Sequence, residues 1–353
     1  MSVKAVETMQ LSSIDLSQTS TVPREVLTGD CPVLLTGLVN NWPLTQKSLE
    51  SFDSAIEYLL SMYNGKTTLA CKGANKDEGR FFYNESITEL NYQTIRMRVD
   101  EVLEAIRSGI NNPESDNYYI PSNPSENHFP GFMSENAISI PFFASEKDND
   151  KHALANKIVP NLWIGGKTTA SCHFDVNKNV ACCTTGKRKF TLFPPEQGKN
   201  LYPGPFEITP GGPVISMVNF KSPDFEQFPR FKTALKFAQE VTLNPGDAIY
   251  IPPLWWHHVE GLDAFNILVN YWWDEAPRFL GSPINALHDA MLSIRDRSDA
   301  EKQAYKALFD YYVFSDAETS HMHLPEHAKG ILAELDETKA RKLRALVISR
   351  LNK

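Results

Sequence analysis

Two side chains that can bind a metal ion lie two residues apart near the middle of the chain, in the segment His173-Phe174-Asp175. Successive side chains of a β-strand point to opposite faces, so positions i and i+2 share one face. A strand through this segment therefore directs an imidazole and a carboxylate into the same cavity and turns Phe174 away from it. Two ligands are too few to hold a metal ion, so another part of the chain must supply a third.

The third ligand is expected from residues 246–259, GDAIYIPPLWWHHV, which end in a histidine pair. Because His257 and His258 are neighbours, only one can face the cavity. We assign His257 to the cavity and expect His258 either to support the metal ligands from outside the site or to lie at the surface. An isolated His-x-Asp tripeptide is common by chance, and His173 alone is better explained as a structural histidine. Two histidines and one carboxylate with open positions are the ligand set of non-haem Fe(II) oxygenases, so the combination predicts a metal site.

A basic residue on an apolar strand face indicates an anion site. In residues 186–193, GKRKFTLF, alternation places Arg188 on the face of Phe190 and Leu192, with the two lysines opposite. A buried guanidinium is costly unless an anion pairs with it, and its planar fork suits a carboxylate. Lys187 and Lys189 fit a basic outer edge that protects the strand from aggregation, but Arg188 does not.

Composition limits the class of protein. The chain has 353 residues, 42% of them hydrophobic, which is enough for one large domain or two. Thirty-five basic and 43 acidic residues give a net charge of −8. This balance argues against a DNA or membrane-surface binder and disfavours RNA. The N-terminal residues contain no apolar signal segment and no 18-residue apolar run occurs, so we expect a soluble cytoplasmic protein.

The five cysteines are expected to be reduced and to pack as small apolar residues. Adjacent Cys182 and Cys183 must face opposite sides of a strand and cannot both point into one site. Cys172, next to His173, points away from the metal face for the same reason.

The pattern of short strands and terminal helices predicts the fold class. Helical spacing of apolar residues occurs over 49–63, 99–108, 286–295, 300–312 and 325–351. Strands are predicted over 32–39, 67–72, 80–83, 117–120, 240–243, 247–251 and 265–273. The connection 200–239, rich in Pro, Gly and Phe, is typical of a lid or binding loop. Facing antiparallel strands closed into a barrel or jelly roll fit best: a mainly β fold with flanking helices.

We expect two parts, a catalytic domain over 1–275 and a helical cap or dimerisation segment over 276–353. The second part carries an apolar stripe that favours a packing surface and predicts a homodimer: Leu332, Leu335, Ala340, Leu343, Val347 and Leu351.

Several short motifs follow one another over about residues 30–275: Pro32–Trp42, LWIGG, HFD with Asn179, GKRKFTLFPPEQ, NLYPGP, SPDFEQFPRF, GDAIYIPPLWWHHVE and NILVNYWW. In these motifs the chain resembles the bacterial cupin-like branch of the Jumonji-C family of Fe(II)/2-oxoglutarate oxygenases. It is also similar to the asparaginyl hydroxylase that acts on hypoxia-inducible factor. The resemblance implies a double-stranded β-helix core, Fe(II), 2-oxoglutarate and O2.

The resemblance also implies roles for individual residues. The Fe(II) ligands are expected to be His173, Asp175 and His257, and Arg188 is expected to hold the far carboxylate of 2-oxoglutarate. Further residues expected near the co-substrate and metal are Tyr119, which would hydrogen-bond that carboxylate, Asn179 and Asn270.

Two positions depart from the family pattern. Relatives of the hypoxia hydroxylase have Lys where this chain has Arg188, and either side chain supplies the positive charge. Many members have Thr or Ser where this chain has Ala170, and strand alternation puts neither Thr169 nor Ser171 on the same face.

The leading interpretation is a hydroxylase that acts on a protein side chain or a small molecule and releases succinate and CO2. Trp255, Trp256, Phe174 and Trp272 are expected to wall off water, and the 202–231 insert to line the substrate groove. The alternative is a metal-binding cupin without oxygenase activity, which binds sugars or carboxylates with Zn(II) or Ni(II). A third interpretation, a dimerisation module with a vestigial site, is disfavoured by the intact triad.

Overall fold

The computed structural model describes residues 11–112, 114–141, 158–277 and 279–352. The polar composition of residues 1–30 predicts an irregular lead-in; from Leu11 onward this prediction is wrong, because the segment contains a strand (Ser12–Asp15) and a helix (Arg24–Leu27). The strands are β1 (Ser12–Asp15), β2 (Val33–Thr36), β3 (Thr67–Gly73), β4 (Arg80–Phe81), β5 (Tyr92–Arg98), β6 (Asn117–Pro124), β7 (Asn161–Gly165), β8 (Thr169–Phe174), β9 (Lys178–Thr185), β10 (Arg188–Phe193), β11 (Gln239–Leu243), β12 (Ala248–Ile251), β13 (Trp256–Gly261) and β14 (Asn266–Trp273).

The α-helices lie mainly before and after the sheet strands that form the centre of the fold. They are α1 (Arg24–Leu27), α2 (Pro43–Glu50), α3 (Phe52–Ser61), α4 (Val99–Gly109), α5 (Ser125–His128), α6 (Phe132–Glu135), α7 (Phe231–Ala234), α8 (Pro283–Ser293), α9 (Asp299–Phe309), α10 (Ala317–His321), α11 (Glu326–Lys329) and α12 (Glu337–Leu351). Among the described residues, no helix combines the length and apolar character needed to cross a membrane.

Two sheets form the core. The larger has nine strands in the order β1-β2-β12-β9-β14-β7-β6-β3-β5, and the smaller has five in the order β11-β10-β13-β8-β4. Pairing is antiparallel except between β1 and β2 and between β4 and β8. Strands adjacent in a sheet are often distant in sequence, as expected for a jelly roll, and the predicted mainly β fold with flanking helices is confirmed.

Each sheet buries two faces, which is why the central strands read as nearly continuous apolar runs. Side chains of β9, β12 and β14 meet those of β10, β11 and β13 between the sheets. The outer face of the large sheet is covered by α2, α3 and α4, and that of the small sheet by residues 201–238. Cys182 packs in the helix-covered layer and Cys183 between the sheets, which confirms the alternation predicted for this pair.

The helix predicted over 49–63 corresponds mainly to α3, and its first two residues belong to the end of α2. Ser51 interrupts the two helices in an extended conformation, and its side chain accepts a hydrogen bond from the Ser54 amide as the N-cap of α3. Strand β5 was not predicted, because its exposed residues are polar or basic and only Ile95 and Met97 alternate toward the main core.

The chain divides into two compact units, one ending at Asp274 and one beginning at Glu275. In the second unit, the helix predicted over 325–351 is interrupted, and α12 begins only after the Asp336 N-cap. Leu332 and Leu335 therefore precede α12 and do not extend its face. Val347 and Leu351 are exposed, whereas Ala340 is buried. Dimerisation through this surface stays a prediction.

Candidate metal centre

The three predicted metal ligands come together where the strands β8 and β13 pair. His257 lies directly opposite His173, with ring centroids 4.3 Å apart, and Asp175 follows the end of β8. The ligand atoms of these three residues all lie within 4.8 Å of one another. The turn before β13 holds this arrangement, because the Leu254 amide donates to the Asp175 carbonyl over 2.7 Å. Leu254 adopts a left-handed conformation with φ 64°, a strained state for leucine that places this amide.

Backbone carbonyls orient both imidazoles. Nδ1 of His173 lies 2.8 Å from the Ser171 carbonyl oxygen, and Nδ1 of His257 lies 2.9 Å from that of Trp255. A carbonyl oxygen only accepts, so each Nδ1 carries the proton and each Nε2 keeps its lone pair. This is the tautomer that binds a metal through Nε2, with the second nitrogen held by the surrounding protein.

The protein also favours the metal-binding protonation states. Burial lowers the pKa of His173 to about 4, helped by the nearby His257 and opposed by Asp175. Burial raises the pKa of Asp175, but the hydrogen bond and charge of a protonated His257, the charge of a protonated His173 and the hydrogen bond from the Trp272 indole outweigh this effect, so the net direction is downward. His173 is thus neutral and Asp175 ionised at neutral pH. His257 Nε2 lies 3.5 Å from Asp175 Oδ2. A metal ion bound by both atoms would replace this direct contact between the two side chains.

His258 lies on the opposite face of β13 from His257, as the choice between them predicted, but it is not at the surface. It is buried and stacks on Phe220 with centroids 4.5 Å apart. Burial lowers the pKa of His258 to about 3, with added effects of Arg80, His173 and Lys189.

The predicted co-substrate residues line the same cavity as the triad, about 70 Å³ in volume: Tyr119, Asn179, Arg188 and Asn270. They belong to strands of both sheets, β6, β9 and β14 in the large one and β10 in the small one. The cavity therefore lies in the interior of the jelly roll.

Arg188 is 3% exposed and has an incomplete set of partners. Its Nη2 donates to the Trp163 carbonyl over 3.3 Å, and Nε has no partner among the described residues. Tyr119 adjoins this guanidinium; burial raises the tyrosine pKa to about 12, although the charge of Arg188 works against the increase. A buried cation beside a phenol that keeps its proton fits a carboxylate group.

The two asparagines form a connected hydrogen-bond chain. The Trp163 indole donates to Asn270 Oδ1 over 2.7 Å, and Asn270 Nδ2 donates to Asn179 Oδ1 over 3.1 Å. Each amide orientation is thereby fixed by its neighbour. Trp163 was overlooked as a cavity residue, although its place in LWIGG, two residues before Gly165 on β7, could have indicated the inward face.

The predicted aromatic wall is mostly wrong. Only Trp272 of the four predicted aromatics lines the metal cavity, where its indole N–H donates to Asp175 Oδ2 over 3.2 Å. Phe174 and Trp256 pack edge to face on the outer side of the small sheet. Trp255 packs between the sheets and donates to the Asp30 carbonyl. Phe174 and Trp256 alternate with the ligands along their strands, so they face away from the metal site, whereas Trp255 lies in the turn before β13.

A bulge in β8 changes the side-chain alternation next to His173. The pairing of β8 with β13 shifts between His257 and Val259, so Ser171 and Cys172 together oppose His258. Ala170 and His173 consequently line the same cavity although they are three residues apart. Thr169 and Ser171 are not among the residues that line it. The 202–231 insert reaches this cavity with Gly211 and Pro213.

A buried two-sheet core with a His/Asp/His cluster defines the class of protein, and the chain belongs to the cupin-like domain family, which matches residues 19–279. It is similar to the lysine-specific demethylase JMJ31 of Arabidopsis thaliana, with 37% identity over 114 residues that cover 32% of this chain and 20% of the relative. It is similar to the JmjC domain-containing protein D of Dictyostelium discoideum, with 35% identity over 144 residues, 37% of this chain and 30% of the relative.

A longer match joins the chain to the lysine-specific demethylase 8 of Xenopus tropicalis, with 25% identity over 243 residues, 69% of this chain and 48% of the relative. The chain thus spans less than half the length of each of these relatives. Membership in the cupin-like JmjC family is confirmed, while the bacterial branch and the likeness to the asparaginyl hydroxylase stay predictions.

Proposed function

We propose that the chain is an Fe(II)- and 2-oxoglutarate-dependent oxygenase that hydroxylates a protein side chain or a small molecule. The observation that carries the proposal is one cavity with two complementary ends. At one end the triad presents two imidazole Nε2 atoms and a carboxylate, the donor set preferred by Fe(II) in open sites. At the other end Arg188 is buried, and its Nε has no partner among the described residues.

The residues present fit both groups. His173, Asp175 and His257 would hold the metal through three positions and leave the others open for the co-substrate and O2. Bound Fe(II) and 2-oxoglutarate supply, with O2, the oxidising power for C–H hydroxylation, while 2-oxoglutarate is converted to succinate and CO2.

The protein residues supply binding, orientation and exclusion of water. Arg188 and Tyr119 bind the far carboxylate, the first by charge-assisted hydrogen bonds and the second as a neutral donor. The chain from Trp163 through Asn270 to Asn179 fixes two amides beside the metal. Trp272 holds Asp175 in place, and with Trp163 it makes the wall of the cavity apolar, which strengthens electrostatic contacts inside it.

The test is succinate formation from 2-oxoglutarate by the purified full chain under O2, with and without Fe(II) and ascorbate. We expect iron-dependent succinate that falls to background in Asp175→Ala. The control is Asp53→Ala, which removes an exposed carboxylate paired with Arg107 and leaves the rate unchanged.

Absence of succinate together with absence of 2-oxoglutarate binding would contradict the proposal. It would favour a metal-binding cupin without oxygenase activity, which Ala170 supports by providing no hydroxyl where many family members have one.

A further inference from the structure

A second cavity, about 80 Å³ in volume, adjoins the metal cavity. The two share six lining residues: Tyr119, Trp163, Ala170, His173, Gly211 and Pro213. Ala170 offers only a methyl group at this boundary, so it projects little between the two spaces. We call this second space the aromatic chamber and define it by the rings of Phe81, Tyr92, Tyr119 and Trp163 and by two residues with aliphatic hydroxyl groups, Thr169 and Ser171.

The rings of the aromatic chamber form one packed cluster. Phe81 stacks on Tyr119 with centroids 5.5 Å apart and meets Tyr92 edge to face at 5.1 Å. Tyr119 continues to Trp163 at 6.3 Å. Because each ring is held by another, the walls are fixed before any ligand binds, which lowers the entropic cost of binding.

The roof of the aromatic chamber comes from the 202–231 insert through Pro210, Pro213 and Ile215. Tyr92 donates from its hydroxyl to the Pro210 carbonyl over 2.5 Å, and Ile215 bridges His173 through the backbone. The insert therefore contacts both the aromatic wall, through Tyr92, and a metal ligand, through His173.

The lining indicates the chemistry of the ligand. No Asp, Glu, Lys or Arg is among the described residues that line the aromatic chamber, so a charged group would lose its hydration without a compensating partner. One water molecule needs roughly 10–15 Å³ on the same measure, so the space suits a group of a few heavy atoms, on the order of one six-membered ring.

Ser171 adds one polar requirement. It lines the aromatic chamber and is 4% exposed, and its Oγ has no hydrogen-bond partner among the described residues. Buried hydroxyls in native proteins nearly always have a partner, so such a group indicates a ligand that supplies one. Ser171 lies in the bulge opposite His258, so its side chain does not follow the regular alternation of β8.

We propose that the aromatic chamber is a binding subsite for a neutral, ring-sized apolar group that carries one hydrogen-bond acceptor, which Ser171 contacts. The group belongs to the substrate whose C–H bond is presented beside His173. This last assignment rests on the proposed oxygenase function, whereas binding in the aromatic chamber does not.

The experiment is a ligand-observed NMR titration of the full chain with Fe(II) under anaerobic conditions. Phenol is the probe, and benzoate and benzylammonium are probes of similar size with a negative and a positive charge. We expect phenol to bind roughly tenfold more tightly than either charged probe. Ser171→Ala should weaken phenol binding roughly three- to tenfold, the effect of one hydrogen bond.

The matched control is Ser125→Ala. Ser125 is also a buried serine whose Oγ has no described partner, but it begins α5 and does not line the aromatic chamber. Its substitution should leave phenol affinity unchanged. Equal losses in the two variants, equal binding of a charged probe, or no binding of phenol would overturn the proposal.

Binding of 2-oxoglutarate separates this subsite from the co-substrate site. We expect Ser171→Ala to keep its affinity for 2-oxoglutarate; a parallel loss would place Ser171 in the co-substrate site and overturn the proposal. Selective phenol binding in a protein that forms no succinate would support the subsite and reject the proposed oxygenase. Succinate formation without phenol binding would support the proposed oxygenase and reject the subsite.

Discussion

His257 and His258 are neighbours in β13, yet the two faces of the small sheet give them opposite surroundings. His257 faces the interior of the jelly roll, where the Trp255 carbonyl orients its ring toward Asp175 and His173. His258 faces the outer layer and stacks on Phe220. Its Nε2 lies 4.0 Å from Glu260, and its Nδ1 has no partner among the described residues.

The difference shows that burial alone does not make a histidine a metal ligand. Both residues are 4% exposed. Only His257 has a carbonyl that fixes the tautomer, together with a second imidazole and a carboxylate close enough to share an ion. Arg80 and Lys189 near His258 oppose a further positive charge. The inner face should therefore control chemistry, and the outer face packing.

The largest expected effect is on the inner face. His257→Ala removes one of three ligands and leaves two, so Fe(II) binding and succinate formation should fall to background. His258→Phe keeps an aromatic ring against Phe220 and should retain metal stoichiometry and rate within about threefold. Metal content after dialysis and succinate formation measure both. Loss of bound iron in His258→Phe with His257→Ala unaffected would reverse the assignment of the two faces.

The same comparison extends to Arg188 and Lys189, neighbours on β10. Arg188→Ala removes the buried cation of the cavity, and loss of one member of a buried charge pair costs about 2–5 kcal/mol, or roughly 30- to 5,000-fold in 2-oxoglutarate affinity. Lys189→Ala removes a partly exposed partner of Glu240 at 3.0 Å and should change that affinity less than about twofold. Calorimetric titration with 2-oxoglutarate measures both, and similar affinities in the two variants would remove Arg188 from the site.

Strand alternation explains what the sequence predicts well. His173 and Asp175, the opposite faces of His257 and His258, and the inward Arg188 all follow from a period of two. The Ser171–Cys172 bulge does not follow from this period, because it depends on how β8 pairs with β13, a strand that is distant in sequence. The aromatic wall failed for a related reason: Phe174 and Trp256, which adjoin a ligand in sequence, face away from it, and the tryptophans that line the cavity come from β7 and β14.

Acid should destabilise the metal-free protein through one buried histidine on each face of the small sheet, His173 on the inner face and His258 on the outer face. The pKa values of His173 (about 4) and His258 (about 3) lie below the ordinary value of 6.5. At a pH between the folded pKa of each histidine and 6.5, the unfolded chain binds more protons than the folded chain. The free energy of unfolding is therefore unaffected above pH 6.5 and falls as pH decreases toward 4 and 3. At pH 5 the loss is on the order of 2 kcal/mol for each histidine.

Urea unfolding of the metal-free full chain at pH 7 and pH 5 tests this response. His173→Gln and His258→Phe should each reduce the difference between the two pH values by on the order of 2 kcal/mol. Asp175 contributes little in this range, because its pKa is shifted downward from the ordinary value and the carboxylate stays ionised at both pH values. An unchanged difference in both variants would show that other groups govern the acid response.

The smallest expected effect concerns the support of a ligand on each face. Trp272→Phe removes the N–H that donates to Asp175 and keeps an aromatic wall, so Fe(II) affinity should fall roughly tenfold, the lower end of what second-layer contacts contribute. Trp256→Phe makes the same change on the outer face, where Trp256 packs against Phe174, and should leave Fe(II) affinity unchanged. Competition with a chelator measures both affinities. If Trp256→Phe weakens iron binding as much as Trp272→Phe does, packing of the small sheet rather than the hydrogen bond positions Asp175, and the two faces are coupled.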